Sequence, residues 1–152
     1  MKLDEIHWKI LFLVQKDARL SYAEIGKRIG LSAPAVAERL KKLEEGGIIR
    51  GYHAQVDPDF LGLTFMGIVN IQNTKRDSAK IIQLAKEIPE VLSCDVITGS
   101  NNYVIRVAAT SRGHFSRVIN QFLEHGLTTS SIVLDRPVVF KPISIDTLGK
   151  SL

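Results

Sequence analysis

A single cysteine, Cys94, occurs in 152 residues. A lone thiol has no internal partner, so a disulfide framework and a cysteine-built zinc site are both excluded. Aromatic residues make up only 7% of the chain, which leaves core building to Leu, Ile and Val. No apolar run approaches the roughly 18 residues of a membrane span, so no membrane partner is expected. The start, MKLDEIHWKI, carries acids early and lacks an apolar stretch leading to a small-residue cleavage site. A secretory signal is therefore not expected, and a cytoplasmic location is. The histidines His7, His53, His114 and His125 are scattered without metal-ligand spacing, and no nucleophile–base pattern or glycine-rich phosphate loop occurs. Neither metal, cofactor nor enzymatic chemistry is expected. Cys94 reads as a strand-filling core residue rather than a nucleophile.

What is present is an uneven distribution of charge. Residues 1–50 hold ten Lys/Arg against seven Asp/Glu, a balance of +3, and residues 51–152 hold ten against nine, a balance of +1. The positive excess sits in the first third, where a phosphate-facing surface would need it.

That first third reads as three short helices. The first covers Asp4 to Lys16, with Asp4 as N-cap and Leu3, Ile6, Ile10, Leu13 and Val14 at helical spacing. The second starts at Ser21, whose partner three residues on is Glu24, the pattern of a capping box. Its core side is Tyr22, Ile25 and Ile29, and Gly30 ends it. Ser32 caps the third helix and Pro34 lies in its first turn, where a missing N–H costs nothing. Val36, Leu40 and Leu43 form its inner stripe; at about 100° per residue, Pro34, Ala35, Glu38, Lys41, Lys42 and Glu45 fall outward and Arg39 lies on a flank. Gly46-Gly47 stops this helix. Ile48-Ile49-Arg50 then opens an extended, hairpin-like segment, a candidate wing, which runs through Tyr52 to Val56 and breaks at Asp57-Pro58.

Beyond it the pattern changes. Leu63 to Gln72 alternates as a strand, Ser78 to Ile88 is a helix, and Val91 to Thr98 and Tyr103 to Ala109 are strands joined by Gly99-Ser100-Asn101-Asn102. Ser111 to His125 is a helix with Phe115, Val118, Ile119 and Phe122 inward, Ser130 to Asp135 a strand, and an extended tail surrounds Pro137 and Pro142. The order βαββαβ is that of a split, ferredoxin-like sandwich. The fold class expected is therefore α+β. A three-helix, winged helix-turn-helix domain fills residues 1–51, a linker strand or hinge residues 52–62, and a βαββαβ domain residues 63–152.

Helix, tight turn, helix with a proline-started, lysine-rich second helix is built to enter a DNA groove. Small residues at the start of that helix (Ser32, Ala33, Pro34, Ala35) let the backbone approach. Arg39, Lys41 and Lys42 can neutralise phosphates, and Ser32 or Arg39 can reach base edges. Arg19, Lys27, Arg28 and Arg50 can straddle the flanking backbone, with Ser21, Tyr22 and Glu38 on the same candidate interface. The plainer alternative is a structural three-helix bundle used for protein contacts. The second candidate site is the turn Thr98 to Tyr103, which with Thr128 and Ser130 offers hydroxyls and amides to a small zwitterion; a tight hairpin explains the same spacing.

Over essentially its whole length the chain resembles the Lrp/AsnC, or feast/famine, transcriptional regulators. The resemblance rests on LDEIHWKIL, QKDARLSYAEIGKRIGLS, APAVAERLKKLEEGGIIRGYHAQVDPDFLG, VITGSNNYVIRV and TTSSIVL. It implies a DNA-reading helix at Ser32 to Glu45, with Ser32, Pro34, Arg39 and Lys42 in matching positions. It also implies dimers paired through the sheets, often assembled as octamers of four dimers, and amino acids or related metabolites bound between dimers. The family's effector turn is usually Gly-Asp-x-Asp-Tyr; here it is Gly99-Ser100-Asn101-Asn102-Tyr103, without either acid. An aspartate can pair with a ligand's ammonium group, whereas Ser100 and Asn102 can only hydrogen-bond it. Three functions follow for comparison: an effector-modulated DNA-binding regulator, an effector-independent DNA-organising protein, and a sensing or interaction module without DNA binding.

Overall fold

The computed structural model describes residues 2–72, 78–100 and 102–149. The chain divides into two compact units, one holding the chain up to Gln55 together with the segment from Val138 onward, the other Val56–Pro137.

In the first unit, α1 (Glu5–Lys16), α2 (Tyr22–Ile29) and α3 (Ala33–Glu45) follow the expected boundaries closely. Each start is fixed by a side chain that accepts an otherwise orphaned backbone N–H. Asp4 accepts from the His7 amide, Ser21 from Glu24, and Ser32 from Ala35. Ile10, Leu11, Ile25, Val36, Leu40 and Leu43 form the buried core of the bundle. Close approach at the α2–α3 turn depends on Gly26. A Cβ there would collide with the Leu31 carbonyl oxygen, and the Leu31 amide donates back to Gly26 O at 3.0 Å.

Three expectations for this unit change. Tyr22, placed on the core side by periodicity, is 50% exposed, because it is the first residue of α2 and lies beyond the reach of the bundle. The expected wing forms no strand: the Ile48 and Ile49 amides are both held by Leu43 O at the end of α3, at 2.9 and 3.1 Å. Residues 50–56 find no ladder partner, and Pro58 leads straight into a 3₁₀ turn, Asp59–Leu61, instead of a return strand. Finally, the tail from Val138, expected with the second domain from its place in the chain, groups with the first unit. Gln15 holds it there, donating from Nε2 to Ile143 O and accepting from Ile143 N at Oε1, both at 3.0 Å. One carboxamide thus imitates a paired strand residue. A short 3₁₀ helix, Ile145–Leu148, follows Ile143 in this tail.

The second unit runs β1 (Phe65–Gln72), α4 (Ser78–Glu87), β2 (Val91–Val96), β3 (Tyr103–Ala109), α5 (Arg112–Asn120) and β4 (Leu127–Ile132). This is the expected βαββαβ order, and its sheet is antiparallel in the sequence β2-β3-β1-β4. Val69, Ile71, Tyr103, Ile105 and Val107 bury one face against Ile81 of α4 and Phe115, Val118 and Phe122 around α5. Residues of opposite parity (Met66, Ile68, Asn70, Val104, Arg106) stay half-buried on the other face. Alternate residues of a strand face opposite sides, so one face packs on the helices and the other carries a mixed apolar and polar surface. The last helix is shorter than expected: α5 stops at Asn120 and a 3₁₀ turn, Leu123–His125, follows. The last strand begins three residues earlier than Ser130, which brings Thr128 into the ladder.

Candidate nucleic-acid interface and effector turn

On α3 the inner stripe is as the spacing predicts: Val36, Leu40 and Leu43 are buried, while Ser32, Pro34, Glu38, Lys41, Lys42 and Glu45 are exposed. Ala33 and Ala35 are half-buried small residues at the helix start. The outward face is less uniformly basic than a count of lysines suggests. Lys42 Nζ lies 2.7 Å from Glu38 Oε1 and Lys41 Nζ 3.7 Å from Glu45 Oε1, each pair one helical turn apart. The Lys42 hydrogen bond holds the Glu38 carboxyl below the usual glutamate range. Both pairs are exposed, so each adds little to stability and leaves its lysine free to exchange partners. Arg19, Lys27, Arg28 and Arg50 are exposed and make no ion pair or side-chain hydrogen bond among the described residues.

Arg39 departs from expectation. Its Nη1 lies 2.8 Å from Asp4 Oδ2 and 3.4 Å from both ring nitrogens of His7, and its side chain is 29% exposed. It turns toward α1 because Asp4, the N-cap of that helix, offers a carboxylate oxygen not used by the His7 amide. Hydrogen bonding from the His7 amide, and then from Arg39, holds the Asp4 carboxyl down at about 2.

Ser21 is wholly engaged as a cap. Its amide and hydroxyl both donate to Glu24 Oε2, at 2.8 and 2.6 Å, and its Oγ accepts from the Glu24 amide at 3.2 Å. Tyr22 stands exposed beside this cap. Sequence pattern did not single out Tyr52, whose hydroxyl donates to Glu44 Oε1 at 2.8 Å. Burial, then the Glu44 carboxylate, push that phenol far above its ordinary range. It ties the chain leaving α3 back onto the helix, and a lone tyrosine in an otherwise polar stretch was the only available signal.

In the second unit, the turn residues Thr98, Gly99 and Ser100 are exposed and Asn102 is half-buried; Asn101 lies outside the described residues. The Ile97 amide donates to Asn102 O at 2.8 Å and the Asn102 amide to Ile71 O at 2.9 Å, so the turn is anchored to the end of β1. Gly99 has φ 108°, a conformation that side chains rarely adopt. Tyr103 and Thr128 pair with Ile71 from opposite sides of β1. Tyr103 is only 3% exposed and belongs to the core. The Thr128 hydroxyl donates to Gly126 O at 3.1 Å, and Ser130 lies exposed opposite Val69. The structure therefore gathers the turn, Tyr103 and Thr128 at one end of the sheet, with Ser130 two residues further along β4. Among the described residues no cluster of His, Cys, Asp or Glu is arranged to hold a metal ion.

Two family models match. A winged helix-turn-helix DNA-binding model covers residues 3–50, and the Lrp/AsnC ligand binding domain covers residues 65–143. The HTH-type transcriptional regulator LrpC of Bacillus subtilis is 33% identical over 133 residues, spanning 88% of this chain and 92% of that protein. The proline dehydrogenase transcriptional activator of Rhodobacter capsulatus is 31% identical over 143 residues, 90% of this chain and 93% of that one. Among solved structures, a transcriptional regulator from Neisseria meningitidis in complex with L-Met superposes with a TM-score of 0.88 at 30% identity, covering 97% of this chain and 99% of that chain. With the helix-turn-helix model matched over residues 3–50, the ligand binding domain over 65–143 and a relative 33% identical across most of both chains, this chain belongs to the Lrp/AsnC family of transcriptional regulators.

Proposed function

We propose that the protein is a cytoplasmic, sequence-specific DNA-binding regulator whose α3 enters the major groove, with Arg19, Lys27, Arg28 and Arg50 on the flanking phosphates. The observation that carries this is the outward face of α3, exposed in its unit and bordered by four exposed cations that make no ion pair among the described residues. The protein acts as a dimer joined through the half-buried sheet face, and four dimers assemble into an octamer. Paired heads then read related half-sites about one helical turn apart. A small zwitterion, a free amino acid in the first instance, binds at the turn Thr98–Tyr103 with Thr128 and Ser130 and changes assembly or DNA affinity through its preference for one state. The L-Met complex of the Neisseria meningitidis relative supports that class of ligand.

A gel-shift titration over a range of salt tests the core of this reading. Binding to a duplex selected from random sequence should weaken linearly on a log–log plot as salt rises. Absent or salt-insensitive binding overturns it. The second reading, an effector-independent DNA-organising protein, is favoured by one observation: Ser100 and Asn102 bring no carboxylate to the turn.

A further inference from the structure

We infer that Arg39 positions the recognition helix and is not itself a DNA contact; this rests on the reading that α3 grips DNA. Asp4 caps α1 through the His7 amide at 2.8 Å, and its second carboxylate oxygen receives Arg39 Nη1 at 2.8 Å. His7, 8% exposed, lies beneath both, its Nδ1 2.7 Å from Asp4 Oδ1. A charge-assisted hydrogen bond thus links the middle of α3 to the N-cap of α1 across 35 residues of sequence. Nothing comparable restrains the outward cations. Lys42 is held only within its own helix, Arg28 feels only the Glu24 carboxylate one turn back in its own helix, and Arg19, Lys27 and Arg50 make no side-chain pair among the described residues. To reach a phosphate, Arg39 would have to give up a charge-assisted bond to Asp4 and its contacts with the His7 ring. Four other cations can serve without that loss. The Asp4–Arg39 pair instead fixes the rotation and tilt of α3 on α1, and with them which residues meet the groove. A pre-set reading face binds more tightly because less order is lost on docking.

The test uses the full chain and a duplex that the wild-type protein selects from random sequence. Affinity is measured across salt concentrations at temperatures where circular dichroism shows each variant fully folded. Arg39→Ala and Asp4→Asn should each weaken binding roughly fivefold, with the salt slope unchanged. The double variant should be no weaker than either single one. Asparagine keeps the N-cap, so Asp4→Asn separates the ion pair from helix capping. Arg28→Ala serves as the contact control and should lower the slope by about one unit. The proposal is overturned if Arg39→Ala lowers the slope by about one unit while Asp4→Asn leaves affinity alone, which makes Arg39 a phosphate contact. Unchanged affinity in both variants also overturns it. If wild-type binding itself ignores salt and Arg28→Ala changes nothing, the DNA reading fails as well, an outcome distinct from the other two.

Discussion

Asp4 joins helix capping, an interhelical ion pair and acid sensitivity in one carboxylate. Its folded value of about 2 lies below the ordinary 3.8, so its charged form stabilises the fold. That contribution is complete above the ordinary value and is lost as pH falls through about 2. Glu24 and Glu90 are lowered too, by the Ser21 hydroxyl and by His114 respectively, and act in the same direction. The melting temperature should therefore fall between about pH 4 and pH 2, and Asp4→Asn should flatten part of that fall in thermal melts at stepped pH; an identical profile would refute the assignment. At Cys94, burial pushes the thiol above its usual range, with Asp95 adding to the effect. Since the thiolate is the reactive form, Ellman's reagent should modify native Cys94 at neutral pH several-fold more slowly than the denatured chain.

The turn between α2 and α3 fixes how the second helix projects from the first. Gly26→Ala puts a methyl group against the Leu31 carbonyl and should destabilise the first unit by about 1–3 kcal/mol, seen as a lower urea midpoint. Leu40→Ala removes a 3%-exposed core side chain of α3 and should cost about 2–5 kcal/mol. The helices were legible in the sequence because their signals are local: Ser21-x-x-Glu24, Ser32 two residues before Pro34, and Gly30 and Gly46-Gly47 as stops. The wing and the last strand were less legible. Extended segments look alike in sequence, and whether one becomes a strand depends on a neighbour that sequence pattern does not supply. Residues 50–56 find none, whereas Leu127–Ile132 pairs with β1 three residues ahead of the expected start.

For the whole molecule, assembly and ligand response are measurable together. Light scattering should show dimers or larger multiples of the 16.9 kDa chain, with octamers as the proposed end state. A thermal-shift screen of the twenty amino acids separates the two functional readings. A ligand that binds the folded form at a hundredfold excess over its dissociation constant stabilises it by about 2.7 kcal/mol. A response to at least one amino acid at millimolar concentration supports effector control, and none favours the DNA-organising reading.

Sequence alone determined the order of elements, the buried stripe Val36–Leu40–Leu43, the positive bias of the first third and the absence of metal-ligand spacing, because caps, periodicity and charge are properties of neighbouring residues. Only the tertiary structure decided that Arg39 faces Asp4 rather than solvent, that Gln15 holds Ile143, and that Tyr103 is a core residue beside Thr128. Those outcomes join residues far apart in the chain, or set a side chain among several reachable partners. Distance and burial in the folded chain, which no local pattern encodes, choose between them.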